Sequence, residues 1–230
     1  MTILIFGATG MIGHGALNAA LADRRITHVI TVGRRPTGRE HAKLEEIVHA
    51  DLFDFEPLAD RLAGADACLF CLGVSAVGMS EADYRRVTYD LTLTVTRTLS
   101  ERNPAMTFVY VSGAGLDAEG RIMWARVKGE TEDALVALPF KAAYNARPGF
   151  IQPVGGAVSR TALYRAFYTL TAPLLPLLRR AFPGVFLDTD QLGRALVEAG
   201  VAGAPQPTLK IPDLQALAAR ALQHPQRDSS

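Results

Sequence analysis

The sequence predicts an α/β fold built on a doubly wound parallel sheet with a small C-terminal lid region, and three observations carry that prediction. Short, continuously apolar, β-branched runs recur along the chain; stretches with helical spacing separate most of them; and a glycine-rich turn at residues 7–13 joins the first run to the first helical stretch. Such runs read as strands buried on both faces, and parallel neighbours need crossover helices between them. Right-handed crossovers then cover both faces and leave a crevice at the carboxyl ends of the strands.

Each element follows in order. The first strand is Thr2-Ile3-Leu4-Ile5-Phe6, stopped by Gly7, and the Ala-rich residues 11–22 form the first helix. Further strands are expected at 28–32, 46–50, 67–72 and 106–111, with a weaker sixth at 141–145. A helix is predicted over 80–101, where Tyr84, Val87, Leu91, Val95 and Leu99 recur near helical spacing behind a Ser80 cap with Asp83 in the first turn. Another helix is read at 119–137. Beyond Pro148, Gly149, Pro153, Gly155 and Gly156 mark a long loop, and an apolar stretch at 163–182 follows. A helix near 190–199, a strand near 207–211 and a helix near 213–222 complete the chain, with a frayed tail at 225–230. Residues 1–155 are thus expected to form the core, and 156–230 the lid and the completion of the same domain.

Composition excludes several classes. The 230 residues are 49% hydrophobic and 20% charged, the make-up of an ordinary globular domain. Lys plus Arg number 24 against 23 Asp plus Glu, a net charge of +1, so no basic field exists to capture a nucleic acid. Pro173, Pro176, Arg165, Arg179 and Arg180 interrupt the 163–182 stretch, leaving fewer than the ~20 apolar residues of a membrane span. It reads as a lid or oligomer contact, with an interfacial helix on a membrane surface as the alternative, because arginines flank Tyr168, Leu170, Leu174, Leu175, Leu177 and Leu178. Two cysteines make no disulfide framework, and the N-terminus lacks the basic and small-residue marks of a secretory signal, so a cytoplasmic location is expected. Cys68 and Cys71 fall on opposite faces of one strand and read as core thiols. The histidines, His14, His28, His41, His49 and His224, lack metal-ligand spacing, and no metal is expected.

The turn Gly7-Ala8-Thr9-Gly10-Met11-Ile12-Gly13 places glycines where backbone must approach a pyrophosphate, with a strand before it and a helix N-terminus after it. This predicts a dinucleotide site of Rossmann type. The spacing is GxxGxxG and departs from the more common GxGxxG. The second strand ends Gly33-Arg34-Arg35 with no acid, so a 2'-phosphate would meet two guanidiniums and NADP(H) is favoured over NAD(H); the alternative is that the arginines merely solvate a loop.

With these residues the chain resembles the atypical and extended branch of the short-chain dehydrogenase/reductase superfamily, the NAD(P)-binding epimerase/dehydratase-like and NmrA-like proteins. GxxGxxG is that branch's glycine pattern. Further points of resemblance are Asp51-Leu52, Cys71-Leu72-Gly73-Val74-Ser75, Val111-Ser112-Gly113-Ala114-Gly115, Lys128-Gly129-Glu130 and Arg147-Pro148-Gly149, covering the chain to about residue 155. The resemblance implies that Gly7, Thr9, Gly10, Met11, Ile12 and Gly13 hold the pyrophosphate and that Asp51 with Leu52 meets the adenine, a turn role for Asp51 being the alternative. It places Cys71, Leu72 and Gly73 at the cofactor, and the Gly73–Ser75 turn is expected to run past the ribose, where small residues permit close approach, an ordinary strand-to-helix turn being the alternative. It also implies a homodimer through outer helices as one assembly.

In the family a Ser polarises the substrate carbonyl, a Tyr four residues before a Lys transfers the proton, and the Lys lowers the Tyr pKa and binds the nicotinamide ribose. Ser112 and Lys128 fill two of these places. The third holds Trp124, whose indole N–H has no proton to exchange. Three readings stay open: an oxidoreductase on an unknown small carbonyl or hydroxyl substrate, its proton coming from Tyr84, Tyr110, Tyr144 or water; a catalytically silent NADP-binding sensor or scaffold; or an active residue within the lid. Arg147 is expected to pair with a structural carboxylate rather than a substrate anion, and Glu130 and Glu132 are read as exposed helix acids.

Overall fold

The computed structural model describes residues 1–113, 122–154 and 186–223. The strands are β1 (Thr2–Phe6), β2 (His28–Gly33), β3 (Leu44–Val48), β4 (Ala67–Phe70), β5 (Thr107–Val111), β6 (Ala142–Ala146), β7 (Phe150–Gln152), β8 (Phe186–Asp188) and β9 (Thr208–Leu209). The helices are α1 (Met11–Ala22), α2 (Glu56–Leu62), α3 (Glu81–Arg85), α4 (Leu91–Arg102), α5 (Met123–Val136), α6 (Thr189–Ala202) and α7 (Ile211–Ala221). The main sheet runs β3-β2-β1-β4-β5-β6-β9 with every neighbour parallel. Chain progression therefore reverses between β1 and β4, and a crevice opens at their carboxyl ends.

Residues two apart share a face of the sheet, which divides the core in two. Ile3, Ile5, Leu69 and Val109 pack on one face with α1, α6 and α7. Leu4, Phe6, Phe70, Phe108 and Tyr110 pack on the other with side chains from α2, α4 and α5. Cys68 belongs to the second face and Cys71 to the first, so the two thiols point apart as expected.

α1 meets α6 backbone to backbone. A Cβ on Gly15 would lie 2.2 Å from the Thr189 carbonyl oxygen, and one on Gly193 would lie 2.2 Å from the Gly15 oxygen. Glycine on both helices is thus a packing requirement at this crossing. Beneath it, the Glu198 carboxylate, with no exposed side-chain surface, takes Arg25 and Arg220 at 2.6 Å each and ties the loop after α1 to α6 and α7.

The structure departs from the sequence expectations at particular elements. β3 lies at 44–48 rather than 46–50, pairing Leu44 with Val29. As an edge strand it tolerates Glu45, which pairs with His28 and Arg61, and Glu46, which accepts the Thr37 N–H at 2.7 Å. The helix expected at 80–101 does begin at Ser80, whose hydroxyl accepts the Asp83 N–H at 3.2 Å, but a π turn at Arg86–Asp90 splits it. The extra residue advances the buried face, so Thr88 and Thr92 lie inside where Val87 and Leu91 were expected. α2 and the β7–β8 pair were not anticipated. α5 begins at Met123 within the described residues. The apolar stretch 163–182, Gly155, Gly156, Ala114, Gly115, His224 and the tail 225–230 lie outside them. No helix among the described residues is long and apolar enough to cross a membrane.

The α1–α6 crossing yields a direct test. Gly193→Ala is expected to cost about 2 kcal/mol or more by overpacking, lowering the melting temperature by roughly 4–8 °C. Gly64→Ala, where a Cβ meets nothing within 4 Å, should leave it unchanged or slightly raised in the same calorimetric scan.

Candidate active site at the carboxyl edge of the sheet

Gly7 ends β1 with φ of +78°, in the region that favours glycine, and a Cβ there would lie 2.9 Å from the Cys71 carbonyl oxygen at the end of β4. The first glycine thus sits in the split between β1 and β4. Gly13 lies one helical turn away, and its Cβ would come within 2.1 Å of the Gly7 oxygen, so α1 starts in backbone contact with the strand. Gly10 caps α1 without a side-chain hydrogen bond, and no acid occupies the first turn. The positive end of the helix and its N–H groups therefore face the crevice, ready for an anion. Thr9 is exposed at this turn, while Met11 and Ile12 pack their side chains against the core, leaving their backbone to the crevice.

Along the crevice, Arg34 and Arg35 are exposed at the end of β2 and form no ion pair among the described residues. Arg39 folds back onto α1 and hydrogen-bonds Asn18. His14, one turn into α1, is held below its ordinary pKa by burial and by Arg39, against an opposing pull from Asp190. Asp51 accepts the Phe53 N–H at 2.9 Å, so the carboxylate caps a turn, and Leu52 is buried in the core. Half-buried Cys71 and Leu72 follow β4, and exposed Gly73 faces open space, with nothing within 4 Å of a Cβ. Burial pushes the Cys71 thiol up to about 12, so it stays protonated.

At the end of β5 the expected residues converge. Among the described residues, the buried Ser112 hydroxyl oxygen has no hydrogen-bond partner. The Trp124 indole covers the next residue, lying 3.8 Å from where a Gly113 Cβ would be. Lys128 follows one turn later, donating from Nζ to the Val111 carbonyl at 3.5 Å and lying 5.4 Å from the centre of the Tyr110 ring. Desolvation lowers the ammonium to about 8, partly opposed by the Glu132 charge.

Glu132 is only 2% exposed, which corrects the reading of it as a surface acid. Arg147 explains its burial: Nε reaches both carboxylate oxygens, at 3.1 and 3.0 Å, and a terminal nitrogen adds a third bond at 2.5 Å. The same bonds hold the Arg147 guanidinium above its ordinary pKa. Arg147 is therefore structural, as expected. Residues 124, 128 and 132 recur at helical spacing, a sequence signal that could have put Glu132 on the inward face. Glu130 pairs with Arg85, and Arg126 with Glu81, tying α5 to α3. Of the three phenols, Tyr84 and Tyr110 are 2% and 1% exposed, and burial raises the Tyr110 pKa above its ordinary value. Tyr144 lines a separate depression with Gly203, Pro205 and Arg220. Among the described residues no group of His, Cys, Asp or Glu has the arrangement of a metal site.

A family model described as NAD(P)H-binding matches residues 7–144, more than half of the chain. The chain belongs to the NAD(P)H-binding family. The glycine cradle and the uncapped α1 fit that assignment, since both present backbone donors to a dinucleotide. "Protein fmp52, mitochondrial" of Emericella nidulans is 26% identical over 207 residues, spanning 86% of this chain and 87% of that protein. Among solved structures, a short-chain dehydrogenase/reductase of Saccharomyces cerevisiae superposes with a TM-score of 0.66 at 16% identity, over 95% of this chain and 98% of that one. The Bordetella bronchiseptica enzyme WbmF in complex with NAD+ gives 0.64 at 14% identity, over 96% and 77%. At these identities the structures establish the fold, that of the short-chain dehydrogenases/reductases.

These names overturn the expected cytoplasmic location. Further relatives called mitochondrial include FMP52 proteins of Scheffersomyces stipitis and Debaryomyces hansenii, of which this chain spans 65% and 66%. A count of two cysteines argues only against a disulfide framework and does not separate one reducing compartment from another.

Removing Arg147 should leave Glu132 as an uncompensated buried charge. Arg147→Met is expected to lose about 3–5 kcal/mol in denaturant titrations, and Glu132→Met combined with it should recover much of the loss.

Proposed function

We propose that the chain binds NADP(H) and acts as an oxidoreductase interconverting a small carbonyl compound and its alcohol. The observation that carries this reading is the carboxyl end of β5, where the Ser112 hydroxyl, without a partner among the described residues, directly follows the Val111 carbonyl that the desolvated Lys128 reaches. A buried hydroxyl without a partner is costly, and a substrate oxygen in the crevice would satisfy it. Ser112 would orient and polarise that oxygen, and Lys128 would supply positive charge next to it and a donor to the cofactor ribose. When bound, the nicotinamide supplies hydride chemistry. Residues 1–155 would hold the cofactor, and residues 156–230 would complete the domain and cover the substrate.

The preference for NADP(H) rests on Arg34 and Arg35, two unpaired cations at the end of β2 with no acid between them. Gly7, Thr9, Gly10, Met11, Ile12 and Gly13 would take the pyrophosphate through backbone groups and Asp51 and Leu52 the adenine, while Cys71, Leu72 and Gly73 would line the cofactor, with the Gly73–Ser75 turn passing its ribose. A second reading, a silent NADP-binding sensor, is favoured by one observation: Trp124 stands where the family carries its proton donor. A homodimer is the assembly we propose, and the mitochondrial setting in the relatives' names replaces the cytoplasmic one.

One measurement tests the cofactor preference and a second decides between the two readings. In calorimetric titrations, Arg34→Ala with Arg35→Ala should weaken NADPH at least about tenfold while NADH changes little, as expected for the loss of charge-assisted bonds to a 2'-phosphate; equal losses would reject the phosphate assignment. Across a panel of aldehydes and ketones, NADPH oxidation that disappears in Ser112→Ala supports the oxidoreductase, whereas tight NADPH binding without turnover supports the sensor.

A further inference from the structure

We propose that Lys128 is itself the proton donor of the reaction, taking the place of the phenol that Trp124 displaces. This role rests on the oxidoreductase reading and deepens it, since the family's pattern gives the lysine only an auxiliary part. The other described candidates fail on position or chemistry. Tyr110 packs against Phe70 inside the core, with ring centres 6.2 Å apart, and Tyr84 is buried beside it. Tyr144 faces Gly203, its hydroxyl 3.3 Å from where a Cβ would be, well away from β5's carboxyl end. Cys71 holds its proton too firmly, and the Trp124 indole does not exchange one.

Lys128 has the required geometry. Its ammonium carries three N–H donors, and among the described residues one of them is used, in a long bond to the Val111 carbonyl immediately before Ser112. Two donors remain at the carboxyl edge, one for a ribose hydroxyl and one for the substrate oxygen that Ser112 orients. The charged groups around it are defined on each side. Glu132, one turn along α5, is bound to Arg147 from the end of β6, so its charge acts at a distance rather than through a bond to Nζ. Tyr110 on β5 and Asn145, its register partner on β6, are the polar residues of the sheet face beneath. On the α3 side, Arg85 and Arg126 pair with Glu130 and Glu81.

In the reducing direction the carbonyl carbon gains a hydride from reduced nicotinamide, and the C=O π pair moves onto oxygen. That oxygen takes the Nζ proton: an O–H bond forms, an N–H bond breaks, and the neutral amine left on Lys128 is reprotonated from water. Oxidation runs the same transfers backwards. A lysine that titrates near the working pH can do this in both directions, because both of its forms are populated.

Two measurements test the proposal, and they separate it from the reading beneath it. Competitive acetylation of the cofactor-free chain, followed by peptide mass spectrometry, reads the titration of each lysine without any turnover. Lys128 is expected to reach half-reactivity near pH 8, and a midpoint at the free-lysine value of about 10.4 overturns the proposal. With NADPH and an active carbonyl substrate, the wild-type rate should fall as pH rises through about 8, because the acid is then deprotonated. Lys128→Arg keeps the positive charge and its N–H donors but cannot release a proton. It should bind NADPH within about threefold by calorimetry yet lose at least about a hundredfold in turnover, and a smaller loss overturns the proposal. Should the arginine misfit, the acetylation midpoint and the pH profile of the wild-type chain decide the question without it. A wild-type chain that binds NADPH and reduces nothing sinks the oxidoreductase reading together with this one. An active chain with a normally titrating Lys128 sinks this one alone.

Discussion

The molecule is organised around one backbone contact, the seating of the Gly13 turn of α1 against the Gly7 carbonyl. A side chain at Gly13 would need space 2.1 Å from that oxygen, so the contact exists only because residue 13 is glycine. It fixes the amino end of α1 over the split between β1 and β4, and with it the direction of the helix's N–H groups. The opposite side of α1 repeats the device, with Gly15 and Gly193 bringing α6 into backbone contact. The position of α1 at the crevice and the direction of its N–H groups thus share one steric cause. A helix held a few ångströms further out would still cover the core but would not present its donors at the switch point.

A second constraint governs the other end of the crevice. α5 must put Trp124, Lys128 and Glu132 against the sheet, and two of these are ionisable. Burying them is tolerable because Arg147 grips Glu132 with three hydrogen bonds, and the resulting charge partly offsets the desolvation of Lys128. The pair therefore links the fold to the electrostatics of the site. Arg147 also stands where the chain leaves β6 toward the loop and the residues beyond it, so the group that stabilises α5 anchors the start of that segment too.

Much of this was legible in the sequence, for physical reasons. β1, β2, β4 and β5 are buried on both faces and announce themselves as apolar runs, and Gly7 and Gly13 announce the turn because only glycine fits there. Ser112 and Lys128 were found through a family pattern, and Trp124 through its departure from that pattern. The misses share a different cause. β3 was displaced by two residues because an edge strand can carry Glu45 and Glu46. Val87 was expected inside because a single π turn shifts helical phase without a compositional mark. Glu132 was read as exposed because its burial depends on Arg147, which sits on another element. The Gly15–Gly193 contact joins helices from opposite ends of the chain, and no local pattern encodes such a pairing.

On the proposed function, a nicotinamide cofactor lies across the β1/β4 switch point with its reactive end against Ser112, Trp124 and Lys128. Trp124 is the single tryptophan of the chain, so its emission reports on that place alone. Titration with NADPH under tryptophan excitation should quench the indole saturably and bring up nicotinamide emission by energy transfer, with the midpoint found by calorimetry. Emission that stays unchanged while calorimetry records saturation would put the reactive end elsewhere and contradict the account.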